Sequence, residues 1–258
     1  VPAKRVTKTV TMTDGTQLTV TLQGDENLHF YRTADGRIVE PTADGTFTYV
    51  SAEKMAKRRA NAAKRHASME QSRRKIRRAP MEPATDGQFI GTKRVLIILA
   101  EFQDVHMQST TATIFKNMAN KEGYNDNGHI GSIHDYFYAQ SYGKFNLNFD
   151  VVGPVRVSNN MAYYGGNNSD GDDEHPAEMV KEAVQKVINM GTYNFANYDW
   201  DGDNYVDQVY VVYAGHGEAQ GASDDTIWPH QWSLSGAGLS TITANGKKID
   251  TYACSSEM

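Results

Sequence analysis

In the first fifty residues apolar and polar positions alternate along the chain. "TKTVTMTDGTQLTVTL" places Val10, Met12, Leu18, Val20 and Leu22 between threonines, on either side of Asp14-Gly15. "FYRTADGRIVEPTADGTFTYV" repeats the Asp-Gly turn at Asp35-Gly36 and Asp44-Gly45. A period of two broken by Asp-Gly predicts short antiparallel strands joined by tight turns. Residues 1–50 therefore read as a small β unit.

The pattern then changes. "SAEKMAKRRANAAKRHASMEQSRRKIRRAP", residues 51–80, has no glycine and high helix propensity. Met55, Ala62, Met69 and Ile76 fall seven apart, a stripe too narrow to bury much. The expectation is an exposed helix or connector across 51–92, open to trypsin-like proteases. No aromatic residue is interleaved in the run, so its basic charge is not read as a nucleic-acid surface.

From Lys93 onward apolar runs and helical faces take turns. "RVLIILAEF" is continuously apolar, as a strand covered on both faces requires. "STTATIFKNMANKEG" predicts a short helix stopped near Gly123. "SIHDYFYAQSYGK" predicts another, capped by Ser132, with Ile133, Tyr136 and Phe137 on one face and a stop at Gly143. "FNLNFDVVGPVRV" alternates as a strand, and "DQVYVVYAG" is a second buried one. "HPAEMVKEAVQKVINMG" lines Ala177, Val180, Val184, Val187 and Ile188 along one helical face and ends at Gly191. "STITANGKKIDTYA" reads as an edge hairpin about Asn245-Gly246. The whole is an α/β to α+β chain: a twisted mixed sheet with helices on it, behind a small antiparallel β unit.

Composition adds a charge asymmetry. The 258 residues carry a net charge of −5, with 39% apolar and 22% charged residues, the balance of a globular protein. Residues 51–80 hold eleven Lys or Arg against two Glu, a local +9 that leaves −14 for the remainder. No apolar run approaches a membrane span. The single cysteine, Cys254, excludes a disulfide within the chain and a thiolate zinc site. Near one end of the sequence, it is expected to be inert.

One segment carries an obvious chemistry. "DWDGDNYVDQVYVVYAGHGEAQ" puts Asp199, Asp201, Asp203 and Asp207 at the first, third, fifth and ninth positions of a loop, with Tyr205 seventh, where a backbone carbonyl commonly completes such a loop. Alternating hard oxygens suit calcium, at about 2.3–2.6 Å per ligand. Four aspartates in nine residues repel one another without a cation. The loop departs from an EF-hand: Gly202 is fourth and the twelfth residue is Tyr210. A last ligand is expected from elsewhere, Glu218 or Asp225. His216 and His230 are fourteen residues apart with no helix to fix them, and no His-Glu-x-x-His, Gly-x-Ser-x-Gly or phosphate-binding glycine loop occurs. From the residues alone the chain has no catalytic centre.

"KRVLIILAEFQDV", "SIHDYFYAQSYGKFNL", "DWDGDNYVDQVYVVYAG" and "DDTIWPHQWSLS" follow one another in an order that resembles the secreted bacterial metallopeptidases of the immune inhibitor A type. The resemblance runs from about Lys93 to Met258. "GDENLHFYRTADGRIVEPTADGTFTYV" is similar to the propeptides of family members. The resemblance implies a zincin-like fold in residues 93–258 and a zinc held by His-Glu-x-x-His, whose glutamate is the general base on the metal's water. In the family that helix follows the segment matched by residues 93–258, so the zinc ligands are expected beyond Met258 and this chain alone is expected to be inactive.

The function implied is the N-terminal portion of a secreted or cell-surface zinc endopeptidase zymogen that acts on proteins or peptides. Its other partners would be its own propeptide and the remaining C-terminal part. The alternative is a non-catalytic calcium-binding surface or interaction module related to such proteases. With no cysteine in residues 1–92, latency would use an oxygen ligand or steric cover. The family order also places an edge strand just before the active-site helix. Ser240, Thr241, Ile242 and Thr243 are expected to form it and to pair with substrate.

Overall fold

The computed structural model describes residues 1–76, 89–109 and 111–258. The alternating segment forms five strands, β1 (Thr7–Thr11), β2 (Gln17–Asp25), β3 (Leu28–Thr33), β4 (Ile38–Pro41) and β5 (Phe47–Tyr49), each antiparallel to the next. All three Asp-Gly turns are where the pattern put them. In two, Asp14 and Asp44 accept hydrogen bonds from the backbone N–H of Thr16 and Thr46. Val10, Val20, Leu22, Tyr31, Val39 and Phe47 face one side and are buried. So small a sheet cannot close a core by itself. It completes one with Ala219 and Trp228, nearly two hundred residues further on in the sequence.

The basic segment forms helix α1 (Ala52–Ile76). It is not the solvated connector its narrow stripe suggests. Met55, Arg58 and Ala62 are buried. Arg58 donates from Nη2 to the carbonyl of His29 at 2.9 Å. Asn61 donates to Asp170 at 2.8 Å, and Arg65 pairs with Asp172. Residues 55, 58, 62, 65 and 69 form a helical face at alternating steps of three and four. Two of its positions are arginines, so hydrophobicity alone does not reveal it. The basic helix lies against an acidic loop, with Lys57 beside Asp170 and Arg65 on Asp172. The end of the 51–92 segment falls partly outside the described residues.

The rest is an α+β unit. In chain order it runs β6 (Gly91–Glu101), α2 (Thr111–Asn120), α3 (Ile133–Gln140), β7 (Phe145–Arg156), α4 (Met161–Gly165), α5 (Pro176–Asn189), β8 (Val209–Tyr213), β9 (His230–Ser233), β10 (Ile242–Ala244), β11 (Lys247–Ile249) and β12 (Thr251–Ser256). Five of these strands make one mixed sheet in the order β7-β6-β8-β12-β9. All neighbours are parallel except β9, which is antiparallel to β12 and forms one edge.

Leu96, Ile98, Leu99, Val209 and Val211 are fully buried, as continuous apolar strands must be. Helix α5 covers the sheet with Ala177, Val180, Val184 and Val187, and Pro176 opens its first turn, where a missing N–H costs nothing. Ser132 caps α3 and Asp135 reciprocates. The expected apolar face of α3 is only half used: Ile133 packs on the core, while Tyr136 and Phe137 stay exposed. Thr110, which precedes α2 in the sequence, lies outside the described residues.

The segment expected to be the sheet's edge is elsewhere. Within Ser240–Thr243 only Ile242 and Thr243 are in a strand, β10, and β10 pairs with β11 alone in a separate two-stranded sheet. The turn at Asn245-Gly246 closes this hairpin on itself, with both residues at positive φ. Ile242 and Ala244 turn into the main core. The antiparallel edge strand is β9.

Candidate functional site

The aspartate loop precedes β8 and is closed by the β10–β11 hairpin. Val206 donates to the carbonyl of Lys248, and Lys248 donates to that of Asn204. Carboxylate oxygens of Asp199, Asp201 and Asp207 come within 4.8 Å of one another. Asp203 does not join them: its Oδ1 accepts the backbone N–H of Tyr205 at 2.7 Å. The described contacts of Tyr205 are through its backbone N–H, its pairing with Lys248 and its ring. Lys247 donates to Asp199 Oδ2 at 2.7 Å. Burial works against the Asp199 carboxylate, but Lys247 and the N–H groups of Gly202 and Asn204 outweigh it and hold its pKa below the usual range.

Three carboxylates against one ammonium leave two negative charges, which a divalent hard cation would neutralise. Glu218 is not the missing ligand, since it follows the C-terminal end of β8, at the other end of the strand from the loop. Among the described residues this is the one place where three or more His, Cys, Asp or Glu donors converge. Its donors are all oxygens, so the residues present do not fit a catalytic zinc.

The other candidate is a cleft of about 310 Å³ along the outer side of β9. Arg65 and Met69 of α1, Asn27 and His29 of the N-terminal sheet, and Trp228 and Trp232 of the larger unit line it. His29 closes its floor. The imidazole stacks on Trp228 with centroids 4.2 Å apart and planes 16° from parallel. His29 Nε2 sits 3.0 Å from Glu218 Oε1, out of line for a hydrogen bond. Glu218 is 2% exposed and receives Asn167 Nδ2 at 3.0 Å. Asp173 accepts the N–H of Trp228 at 2.8 Å. Burial and the charge of Glu218 push the Asp173 pKa well up.

Among the described residues six buried side-chain polar atoms lack a hydrogen-bond partner. Three belong to residues that line the cleft, His29 Nε2, Asp173 Oδ1 and Trp232 Nε1, and three to residues behind it, Arg58 Nε, Asn167 Oδ1 and Glu218 Oε2. Such groups are rare in a folded protein.

His216 is exposed, and His230 is buried with its pKa brought down to about 4 by burial. Cys254 is buried 3.5 Å from His230 Nδ1, its thiol pushed up to about 12 by burial. A neutral thiol beside a neutral imidazole is no activated nucleophile.

Comparison with known proteins bears on this arrangement. Residues 84–256 match the catalytic domain of the immune inhibitor A peptidase M6 family. The chain belongs to that family. Immune inhibitor A of Bacillus thuringiensis subsp. alesti is 25% identical over 194 residues, which are 61% of this chain and 28% of that protein. Pre-pro-metalloprotease PrtV of Vibrio cholerae serotype O1 is 28% identical over 135 residues, 43% of this chain and 15% of its own. The matched segments span between about a seventh and a little over a quarter of the length of these curated relatives.

The M6 match covers the β7-β6-β8-β12-β9 sheet and its helices; the β1–β5 sheet and all of α1 lie before it. The residues that make the cleft are not legible as a site in the sequence. His29 stands in an ordinary strand, and Glu218 and Trp228 sit on two loops ten residues apart. The one local signal is Trp-Pro-His-Gln-Trp, residues 228–232, with two indoles in five residues leading into β9.

The acidic loop beside the cleft gives a pH prediction. Asp224 has its pKa raised to about 6 by burial and by Glu218, against the opposing charges of Lys8 and His29. A carboxyl with a raised folded pKa stabilises the fold below its unfolded value, and that stability is lost as pH rises through about 6. Asp224→Asn should therefore melt higher than the wild type above pH 6, with the difference closing below about pH 4. Parallel melting curves at all pH values would show that Asp224 is not so perturbed.

Proposed function

We propose that this chain is the N-terminal portion of a secreted, zinc-dependent endopeptidase zymogen of bacterial origin, acting on proteins or peptides. Membership of the M6 peptidase family carries the reading. The relatives named Immune inhibitor A and Pre-pro-metalloprotease PrtV support it. No helix of the described residues is long and apolar enough to cross a membrane, which is compatible with export. The zinc and its histidines would be supplied by residues C-terminal to Met258.

On this reading the outer edge of β9 receives the substrate as an added strand, the way in which sheet edges commonly hold extended peptides. The N-terminal unit is the propeptide, and it restrains the enzyme by cover. Helix α1 packs along β9, and Arg65 and Met69 stand over the cleft that a peptide would occupy. The aspartate loop serves as a structural calcium site that ties the entry to β8 to the β10–β11 hairpin.

The protease reading is tested on the gene product extended past Met258. It should hydrolyse casein, lose activity to a zinc chelator and regain it with zinc, while the 258-residue chain does none of this. An extended product that folds and binds zinc without hydrolysis would favour the non-catalytic module instead.

The calcium reading is tested on the chain itself. A ligand bound only by the folded state adds about 2.7 kcal/mol at a hundredfold excess over Kd. Calcium should raise the melting temperature of the wild type and leave Asp201→Ala almost unmoved. A wild type indifferent to both calcium and chelator would make the loop an acidic turn held by Lys247.

A further inference from the structure

Behind His29, which lines the β9 cleft, lie more acceptors than its side chain can serve. Three buried oxygens, Asn167 Oδ1, Asp173 Oδ1 and Glu218 Oε2, have no donor. They belong to residues in mutual contact. Asn167 donates its amide to Glu218 and pairs across its loop with Asp173, whose pKa the charge of Glu218 raises. His29 offers this group a single ring nitrogen, out of line for a hydrogen bond. Leaving buried acceptors without partners costs roughly 1–3 kcal/mol each.

The wall of the same pocket is the face of Trp228, 2% exposed and set nearly parallel to a planar ring at 4.2 Å. An indole face beside the buried Glu218 carboxylate and the oxygens of Asn167 and Asp173 selects a planar cation with several N–H donors directed outward. Among side chains that is the guanidinium, with five donors in a fixed fork and a flat surface that stacks on aromatic rings. An ammonium has the charge without the plane. The pocket also lies where a substrate subsite would. Trp228 shortly precedes β9, whose His230 and Trp232 line the cleft above His29.

We propose that Trp228, Glu218, Asp173 and Asn167 form a specificity subsite for an arginine side chain of a peptide lying on β9, and that His29 fills this subsite while the N-terminal unit is docked. The proposal rests on the reading of β9 as the substrate's edge strand. It deepens that reading by naming the side chain the edge selects. It also gives His29 a role: the N-terminal unit competes for the pocket with an imperfect substitute for arginine, one that a better-matched side chain can replace.

The test opens the pocket in the intact chain with His29→Ala and titrates it with single blocked amino acids by calorimetry. N-acetyl-arginine amide should bind about tenfold or more tightly than the neutral isostere N-acetyl-citrulline amide, the margin expected of charge-assisted hydrogen bonds to buried carboxylates. The lysine derivative should fall between them. The preference should disappear in His29→Ala/Glu218→Gln. His29→Asn, which keeps a polar group and a smaller side chain, is read in the same way if the alanine variant does not fold. Equal binding of the arginine and citrulline compounds overturns the pocket.

A blocked tetrapeptide containing arginine separates the two layers. It should bind more tightly than the single residue, because it adds backbone pairing along β9. No gain from the longer peptide overturns the assignment to a substrate on β9, whatever the single residues show.

Discussion

The structure depends on what covers Glu218 and Trp228. A carboxylate 2% exposed and an indole 2% exposed stand between β8 and β9, and His29 of the N-terminal unit touches both. The indole packs in the core of the N-terminal sheet, among Val10, Leu22 and Tyr31. Its Nε1 donates to the carbonyl of Val1 at 2.8 Å. Truncating so large a buried side chain costs about 3–5 kcal/mol. A five-stranded sheet of short strands has little stability to spare, so the two units are folded against each other rather than linked. The carboxylate is tolerable only because His29, Asn167 and the charge of Arg58 surround it.

The position of α1 follows from that contact. Arg58 reaches back to the carbonyl of His29, and Arg65 forward to Asp172. The helix therefore bridges the N-terminal sheet and the acidic loop, and its course takes it along β9. The edge strand of the main sheet is covered by a helix whose charge matches the surface beneath it. Covering an edge in this way also removes a template for unwanted strand pairing.

Much of this was legible in the sequence where a local rule governs. Asp14-Gly15, Asp35-Gly36 and Asp44-Gly45 fix the N-terminal meander, the apolar run Val95–Ala100 fixes a central strand, and Ser132 with Asp135 fixes the start of α3. Of the aspartate loop, Asp199, Asp201 and Asp207 converge, while Asp203 turns to its own backbone. Sequence reasoning failed where the governing contact is remote. The face of α1 hides because Arg58 and Arg65 occupy positions that a hydrophobic pattern reserves for apolar residues, and Arg65 finds its acid, Asp172, far along the chain. Ser240–Thr243 reads as the edge because it precedes a strong turn signal, whereas His230–Ser233 owes its place at the edge to pairing with Thr251–Cys254. The cleft joins residues 29, 173, 218 and 228, and no spacing along the chain announces it.

The most direct measurement of the central claim, that the N-terminal unit covers β9, is amide hydrogen exchange in Ala62→Asp. Ala62 is 7% exposed on the docked face of α1, and a charge there should lift the helix. The account predicts that exchange rises across residues 228–233 while β6 and β8, at the centre of the sheet, keep their protection. Unchanged protection of 228–233 in a protein whose α1 has become exchangeable would contradict it.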